Sequence, residues 1–201
     1  MAALWASLGS EAPARAMTCV AHRGALAAPR CRIDTPAGPL HLWAAHDGRG
    51  DAPGPGRLGA GRAWIVFDGV LYNRTELDGL IDDPLADSDA LRVLALFERD
   101  GVAAFERLAG MFACVIVDTA RQCLHAVRDR FGMKPLYLYQ HGGVIAFASE
   151  IKQFFALPGS RARLDYDAGL QFLVAGLTDH GEATLFTDVR RVPAGARLEL
   201  D

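Results

Sequence analysis

Residues 111–148 read MFACVIVDTARQCLHAVRDRFGMKPLYLYQHGGVIAFA, and this stretch decides the fold class. Four apolar runs, Met111–Asp118, Cys123–Arg128, Pro135–Gln140 and Val144–Ala148, are separated by turns of at most six residues. Connections that short cannot hold a crossover helix, so the runs pair as a meander of antiparallel hairpins. Working upstream, Ala63–Phe67 (AWIVF) and Pro39–Ala45 (PLHLWAA) read as further strands, and the small apolar stretch Met1–Leu8 as a short buried one. Asp68-Gly69 is a turn-forming pair expected to end its strand. Helical spacing marks Glu11–Ala21, with Ala16, Met17 and Val20 on one face, and then Asn73–Leu80 and Val102–Leu108. The strongest helix is Ser88–Arg99, opened by the N-cap candidates Ser88 and Asp89 and striped by Leu91, Leu94, Ala95 and Phe97. Downstream lie helices Glu150–Ala156 and Asp167–Leu173 and a terminal hairpin near Leu185–Leu200. The Gly- and Pro-rich stretch Asp47–Gly61 is expected to be a mobile surface loop. Strands and helices are grouped rather than alternating, so the class is α+β, with helices layered on antiparallel sheets.

A chain of 201 residues suits one domain, and 51% apolar against 22% charged residues supplies a core. The formal net charge of −3 argues against a nucleic-acid binder that works through a broadly basic surface. No run approaches the ~20 apolar residues of a spanning helix, so no membrane partner is expected. The N-terminus has no basic segment ahead of its apolar one and is a poor signal peptide, which points to a cytoplasmic protein. Cys19, Cys31, Cys114 and Cys123 include no CxxC pair, and they read as buried or idle thiols with no metal site.

Several short segments stand in a telling order. Ala21-His22-Arg23-Gly24 follows a helix, Phe67-Asp68-Gly69-Val70-Leu71-Tyr72-Asn73 comes next, and Ser88-Asp89 opens a helix. Then come Leu108-Ala109-Gly110-Met111-Phe112-Ala113, RDRFGMKPLY from Arg128 to Tyr137, and FASEIK from Phe147 to Lys152. This ordered set resembles the N-terminal glutaminase domain of the asparagine synthetase B family, the class II glutamine amidotransferases, and spans nearly the whole chain.

The resemblance implies an N-terminal-nucleophile hydrolase fold: two antiparallel sheets sandwiched between helices, forming one glutaminase-like domain over residues 1–201. In that family the domain releases ammonia from glutamine, and an ATP-using synthetase domain then activates a carboxylate as its acyl-adenylate. The synthetase domain is not in this sequence. The chain is therefore expected to be an excised domain or to act beside a synthetase partner in cis or trans, with self-association left open. No cofactor is expected here; ATP and Mg belong to the missing domain.

The same resemblance implies loss of hydrolysis. The family needs a thiol on the first residue after Met removal, its α-amine serving as base, and Ala2 falls at that position. The family's Asn-Gly-Glu reads Asp68-Gly69-Val70. Gly69 still presents a backbone N–H, but Asp68 puts a carboxylate where a neutral donor should face an oxyanion. The strand that carries the family's carboxylate-gripping Arg reads His41-Leu42-Trp43-Ala44-Ala45, without one. Trp43 and Val70 imply a more apolar pocket. Asp68, Gly69 and Asp89 thus remain as a substrate-binding remnant, Asp89 matching the residue that pairs with the substrate ammonium.

Each remnant also has a plain structural reading: Asp68-Gly69 as a turn, Asp89 as a helix cap, His22-Arg23-Gly24 as a helix C-terminus, and Arg128-Asp129-Arg130 as a local ion-pair cluster. Arg128, Asp129, Arg130, Lys134 and Glu150 are expected to face the synthetase domain. The functional expectation is a non-catalytic structural or docking domain of an ATP-dependent amide-forming enzyme, akin to the Cys-less domains of β-lactam synthetases and lasso-peptide cyclases. The alternatives are an active glutaminase supplying ammonia for asparagine synthesis, through processing that exposes Thr18 or Cys19, and a stand-alone module that binds a small ligand or peptide.

Overall fold

The computed structural model describes residues 2–11, 13–24, 29–45, 55–81, 88–178 and 181–201. Of the segment read as a mobile loop, Asp47–Gly61, residues 47–54 lie outside them. Two antiparallel sheets form the centre. The first has six strands: β1 (Ala3–Leu8), β2 (Arg30–Thr35), β3 (Gly38–Ala45), β7 (Tyr137–His141), β8 (Val144–Ala148) and β9 (Val189–Arg191). They lie in the order β2-β3-β1-β8-β7-β9. The second has four: β4 (Ala63–Leu71), β5 (Gly110–Asp118), β6 (Cys123–Arg128) and β10 (Arg197–Leu200), ordered β10-β6-β5-β4.

Strand parity builds the layers. Leu4 and Ala6 of β1, Leu40, Leu42 and Ala44 of β3, and Val66, Val115, Val117 and Ala126 of the second sheet pack between the two sheets. The alternate residues Ile65, Phe67, Cys114, Ile116 and Val127 face outward. They are covered by α3 (Asp89–Asp100), through Val93, Leu94, Leu96 and Phe97, and by Ala104 of the 3-10 segment Gly101–Arg107. On the far side, Ala3, Trp5, Trp43 and Ala146 pack under Met17 of α1 (Ala14–Thr18) and Phe154 of the 3-10 segment Ile151–Ala156. Helix, sheet, sheet, helix is the layering expected. Among the described residues no helix is long and apolar enough to cross a membrane.

Four local expectations change. The chain does not turn at Asp68-Gly69: β4 runs through both, with Asp68 opposite Ala113 and Gly69 opposite Phe112. The helix read over Glu11–Ala21 is instead α1 followed by a separate 3-10 turn, Ala21–Arg23. The four closely spaced strands are not one meander; β5–β6 and β7–β8 are hairpins in different sheets. The terminal pair does not close on itself either, because β9 pairs with β7 and β10 with β6. In each of the last two cases the link passes from one sheet to the other, which short connection length alone does not reveal.

Candidate functional site

The parity that places Val66 between the sheets also places Asp68 there, two residues along β4. Its carboxylate is fully buried. Three donors converge on it: Arg23 Nη2 at 2.8 Å, Lys134 Nζ at 2.7 Å and Ser149 Oγ at 3.2 Å. Two cations against one anion satisfy the general requirement that a buried charge be paired and hydrogen-bonded. Ser149 continues from β8 and also accepts from the Leu4 amide at 3.0 Å, so it ties the cluster to the head of β1.

Arg23 joins the site's parts. The 3-10 turn Ala21–Arg23 sends its guanidinium inward, where it is almost wholly buried. Nε donates to the Ala2 carbonyl at 2.7 Å, and Nη1 donates to Glu150 at 3.3 Å. The 3-10 segment does end at Gly24 with His22 and Arg23 in its last turn, but their side chains go to Glu150 and Asp68. Ala2, where the resemblance expects a thiol, is buried as a methyl group with its carbonyl fixed by Arg23.

Glu150 forms the outer half of the network. It caps the segment Ile151–Ala156 through a reciprocal box with Gln153 and holds His22 Nε2 at 2.9 Å and Lys152 Nζ at 2.8 Å. Burial pushes its carboxyl up, but hydrogen bonds and charge from Lys152 and Arg23 outweigh that and hold it below its ordinary value.

The other expected site residues fall as follows. Gly69 is required by packing: a Cβ there would lie 2.3 Å from the Met111 carbonyl oxygen and 2.6 Å from Phe112 Cα. Asp89 does not cap α3, because Ser88 Oγ accepts from the Leu91 amide. Its carboxylate instead takes both Nε and Nη2 of Arg74 at 2.6 Å and the Leu71 amide at 2.9 Å. Arg74, from α2 (Arg74–Asp78), thus stands where the resemblance expects a substrate ammonium. Trp43 lies in the core under α1.

Of the five residues expected at a partner surface, Arg130 alone is exposed. Arg128 donates to the carbonyls of Gly132, Lys134 and Val192. Buried Asp129 accepts from the amides of Phe112, Phe131, Met133 and Lys134. These two residues shape the 129–134 loop and so deliver Lys134 to Asp68. Arg130 lines a groove of about 750 Å³ together with Tyr72, Phe131 and Met133, which are 68%, 79% and 65% exposed.

Sequence reading missed Arg23 and Ser149 as site residues and gave Lys134 an outward role. One signal was available: a carboxylate whose strand parity points between two sheets must have cations from elsewhere in the chain. The two residues considered for an alternative nucleophile show no preparation for the task. Thr18 Oγ1 donates to the Arg15 carbonyl at 3.2 Å and Cys19 Sγ to that of Ala16 at 3.3 Å. Burial, foremost, raises the Cys19 thiol above its ordinary value.

Comparison with known proteins agrees with this architecture. Residues 13–201 match the glutamine amidotransferase domain family. Among curated relatives, asparagine synthetase [glutamine-hydrolyzing] 2 of Bacillus subtilis is 29% identical, over 68% of this chain and 19% of its own length. A putative asparagine synthetase [glutamine-hydrolyzing] of Mycobacterium tuberculosis is 35% identical over 68% of this chain and 22% of its own. The chain thus spans about a fifth of the length of these relatives. Among solved structures, the glutamine phosphoribosylpyrophosphate amidotransferase of B. subtilis superposes with a TM-score of 0.56 at 16% identity, covering 77% of this chain and 43% of that one. That likeness places the two-sheet sandwich in the N-terminal-nucleophile hydrolase fold. The chain belongs to the glutamine amidotransferase domain family, on the class II branch related to asparagine synthetases.

Proposed function

We propose that this is a glutaminase-like domain that does not hydrolyse glutamine and serves as a structural and docking domain of an asparagine-synthetase-type, ATP-dependent amide-forming enzyme. One observation carries the reading: the position expected to help stabilise an oxyanion holds a buried carboxylate, Asp68, locked by Arg23, Lys134 and Ser149. A carboxylate fixed there offers acceptor oxygens, not a donor N–H, where deamidation must develop negative charge. The position expected to supply the nucleophile is the methyl of Ala2, and a hydrolase without its nucleophile loses about 10⁶ in turnover. Arg74 on Asp89 removes the remaining substrate contact. Without ammonia release, the partner's nucleophile is an amine already on its substrate, and the domain's contribution is to fold and to bind.

The surface supports the docking half. Besides the groove at Arg130, helix α4 (Tyr166–Ala175) turns Tyr166, Leu170, Leu173 and Val174 to solvent, each at least 60% exposed. Exposed apolar surface of this kind marks an interaction site. The expected partner is a synthetase region supplying ATP and Mg chemistry, in cis or trans, as the length of the relatives, of which the match spans about a fifth, suggests. The test is co-purification of the domain with the synthetase region, alongside release of glutamate from glutamine. Association without glutamate release is expected, with Arg130→Glu weakening association. Robust glutamate release, or association unchanged by both Arg130→Glu and Leu173→Glu, would refute the reading.

A further inference from the structure

On the opposite edge of the second sheet lies a cluster that the amidotransferase reading leaves unused. Cys123 and His125 are two apart on β6, so they share the face that points at α3. Glu199 on β10 stands directly opposite His125 in the register. Cys123 and His125 are buried, and Glu199 is 44% exposed. The imidazole packs against Phe97 and Phe105, with ring centroids 5.3 and 6.3 Å away. Neighbouring positions on this face are Ile116, Cys114 and Val127, so a polar pair among them calls for an account.

The donor atoms of Cys123, His125 and Glu199 all lie within 4.8 Å of one another. Cys123 Sγ is 3.4 Å from His125 Nε2. A tetrahedral ion about 2.3 Å from sulfur and about 2.05 Å from nitrogen would set those two atoms roughly 3.6 Å apart. One thiol, one imidazole and one carboxylate form a donor set suited to zinc, with the fourth position left to water. We propose that Cys123, His125 and Glu199 form a binding site for a divalent transition-metal ion of the zinc type.

Charge around the site is mixed, with Asp118 already paired to Arg62, and it includes one direct competitor for a cation. Asp118, Glu199 and Asp201 bring negative charge to the thiol, against Arg121. Arg197 Nη1 sits 3.1 Å from His125 Nδ1 and pairs with Glu199. In that arrangement Nδ1 accepts and Nε2 carries the proton toward sulfur. Metal binding releases the thiol proton to solvent and moves the imidazole proton from Nε2 to Nδ1. Arg197, a partly exposed side chain, must then swing off Nδ1. Glu199, whose Oε2 stands 3.7 Å from His125 Nδ1, must also move to reach an ion held on Nε2. The ion would join β6 to β10, stapling the last strand to the sheet.

The test uses the full chain, freed of metal, titrated with Zn²⁺ and with Co²⁺ as a spectroscopic probe. Stoichiometric binding is expected, with a near-ultraviolet sulfur-to-cobalt charge-transfer band and release of one proton per ion near neutral pH. Cys123→Ser should lose the band and at least 100-fold in affinity, and Glu199→Gln should lose about 10-fold. Arg197→Ala should bind more tightly, while Cys31→Ser should bind as the parent does. Near-ultraviolet circular dichroism checks that each variant is folded, and Arg197→Ala tests the site should Cys123→Ser fail to fold. Absence of the charge-transfer band, equal affinity in parent and Cys123→Ser, or weaker binding by Arg197→Ala would overturn the proposal.

Discussion

Replacing Asp68 by Asn keeps the shape of the side chain and removes one unit of charge. The parent carboxylate has no solvent exposure and accepts from Arg23, Lys134 and Ser149 at 2.7–3.2 Å. After the change the amide oxygen can still accept, but its nitrogen faces donors, Lys134 loses its counter-ion and Arg23 keeps only Glu150. Breaking a buried ion pair by removing one partner costs about 3–5 kcal/mol. Arg23 keeps its bonds to the Ala2 carbonyl and Glu150, and the Lys134 side chain is 13% exposed and can turn toward water. Both points favour the lower end, about 3 kcal/mol. For a domain of this size that lowers Tm by roughly 6–12 °C.

Urea unfolding followed by circular dichroism measures the change as a lower midpoint at unchanged slope. Lys134→Met should also destabilise, and the Asp68→Asn/Lys134→Met double variant should cost less than the sum of the two. A coupling energy of at least ~1 kcal/mol is the signature of a direct pair. Asp68→Asn within ~0.5 kcal/mol of the parent, or strict additivity, would refute the claim that Asp68 and Lys134 form a direct, stabilising buried pair.

Other expectations are briefer. Gly69→Ala puts a methyl 2.3 Å from a backbone oxygen that a strand partner cannot withdraw, so it should cost at least about 2 kcal/mol by the same unfolding assay. Asp129→Asn halves the acceptor capacity offered to three loop amides and to the Phe112 amide of β5; limited trypsin digestion should cleave after Arg130 well before the parent is cut. Glu150 has its folded carboxyl below the unfolded value, so the unfolded chain binds more protons as pH drops. Its stabilisation is therefore complete above the unfolded value and lost as pH falls through the folded one. Glu150→Gln should accordingly flatten the acid limb of a stability–pH curve below about pH 4.5, which thermal melts at graded pH would measure.

The layered architecture was legible because periodicity reports burial: MFACVIVD and CLHAVR alternate between two apolar faces, and the Leu91-Leu94-Ala95-Phe97 stripe covers one of them. Strand partners were less legible. Cys123–Arg128 and Tyr137–His141 look like neighbours in sequence but belong to different sheets, since eight intervening residues are enough to cross the sandwich. β2 (RCRIDT) was missed because it is an edge strand with polar residues on its open face. Asp68-Gly69 was misread because local turn propensity is weak beside nine residues of pairing with β5. At the site, the sequence named Asp68, Gly69 and Asp89 but not what each meets. Arg23 and Arg74 are contributed by short helical segments far from their partners in sequence, and no spacing rule reveals such pairs.

The central claim is that this domain forms no covalent intermediate with glutamine. Incubation with a diazoketone analogue of glutamine, followed by intact-protein and peptide mass spectrometry, tests it most directly. The account predicts unmodified protein at reagent concentrations that fully label an active class II amidotransferase. Stoichiometric, glutamine-protectable labelling at any residue, Cys19 included, would contradict it.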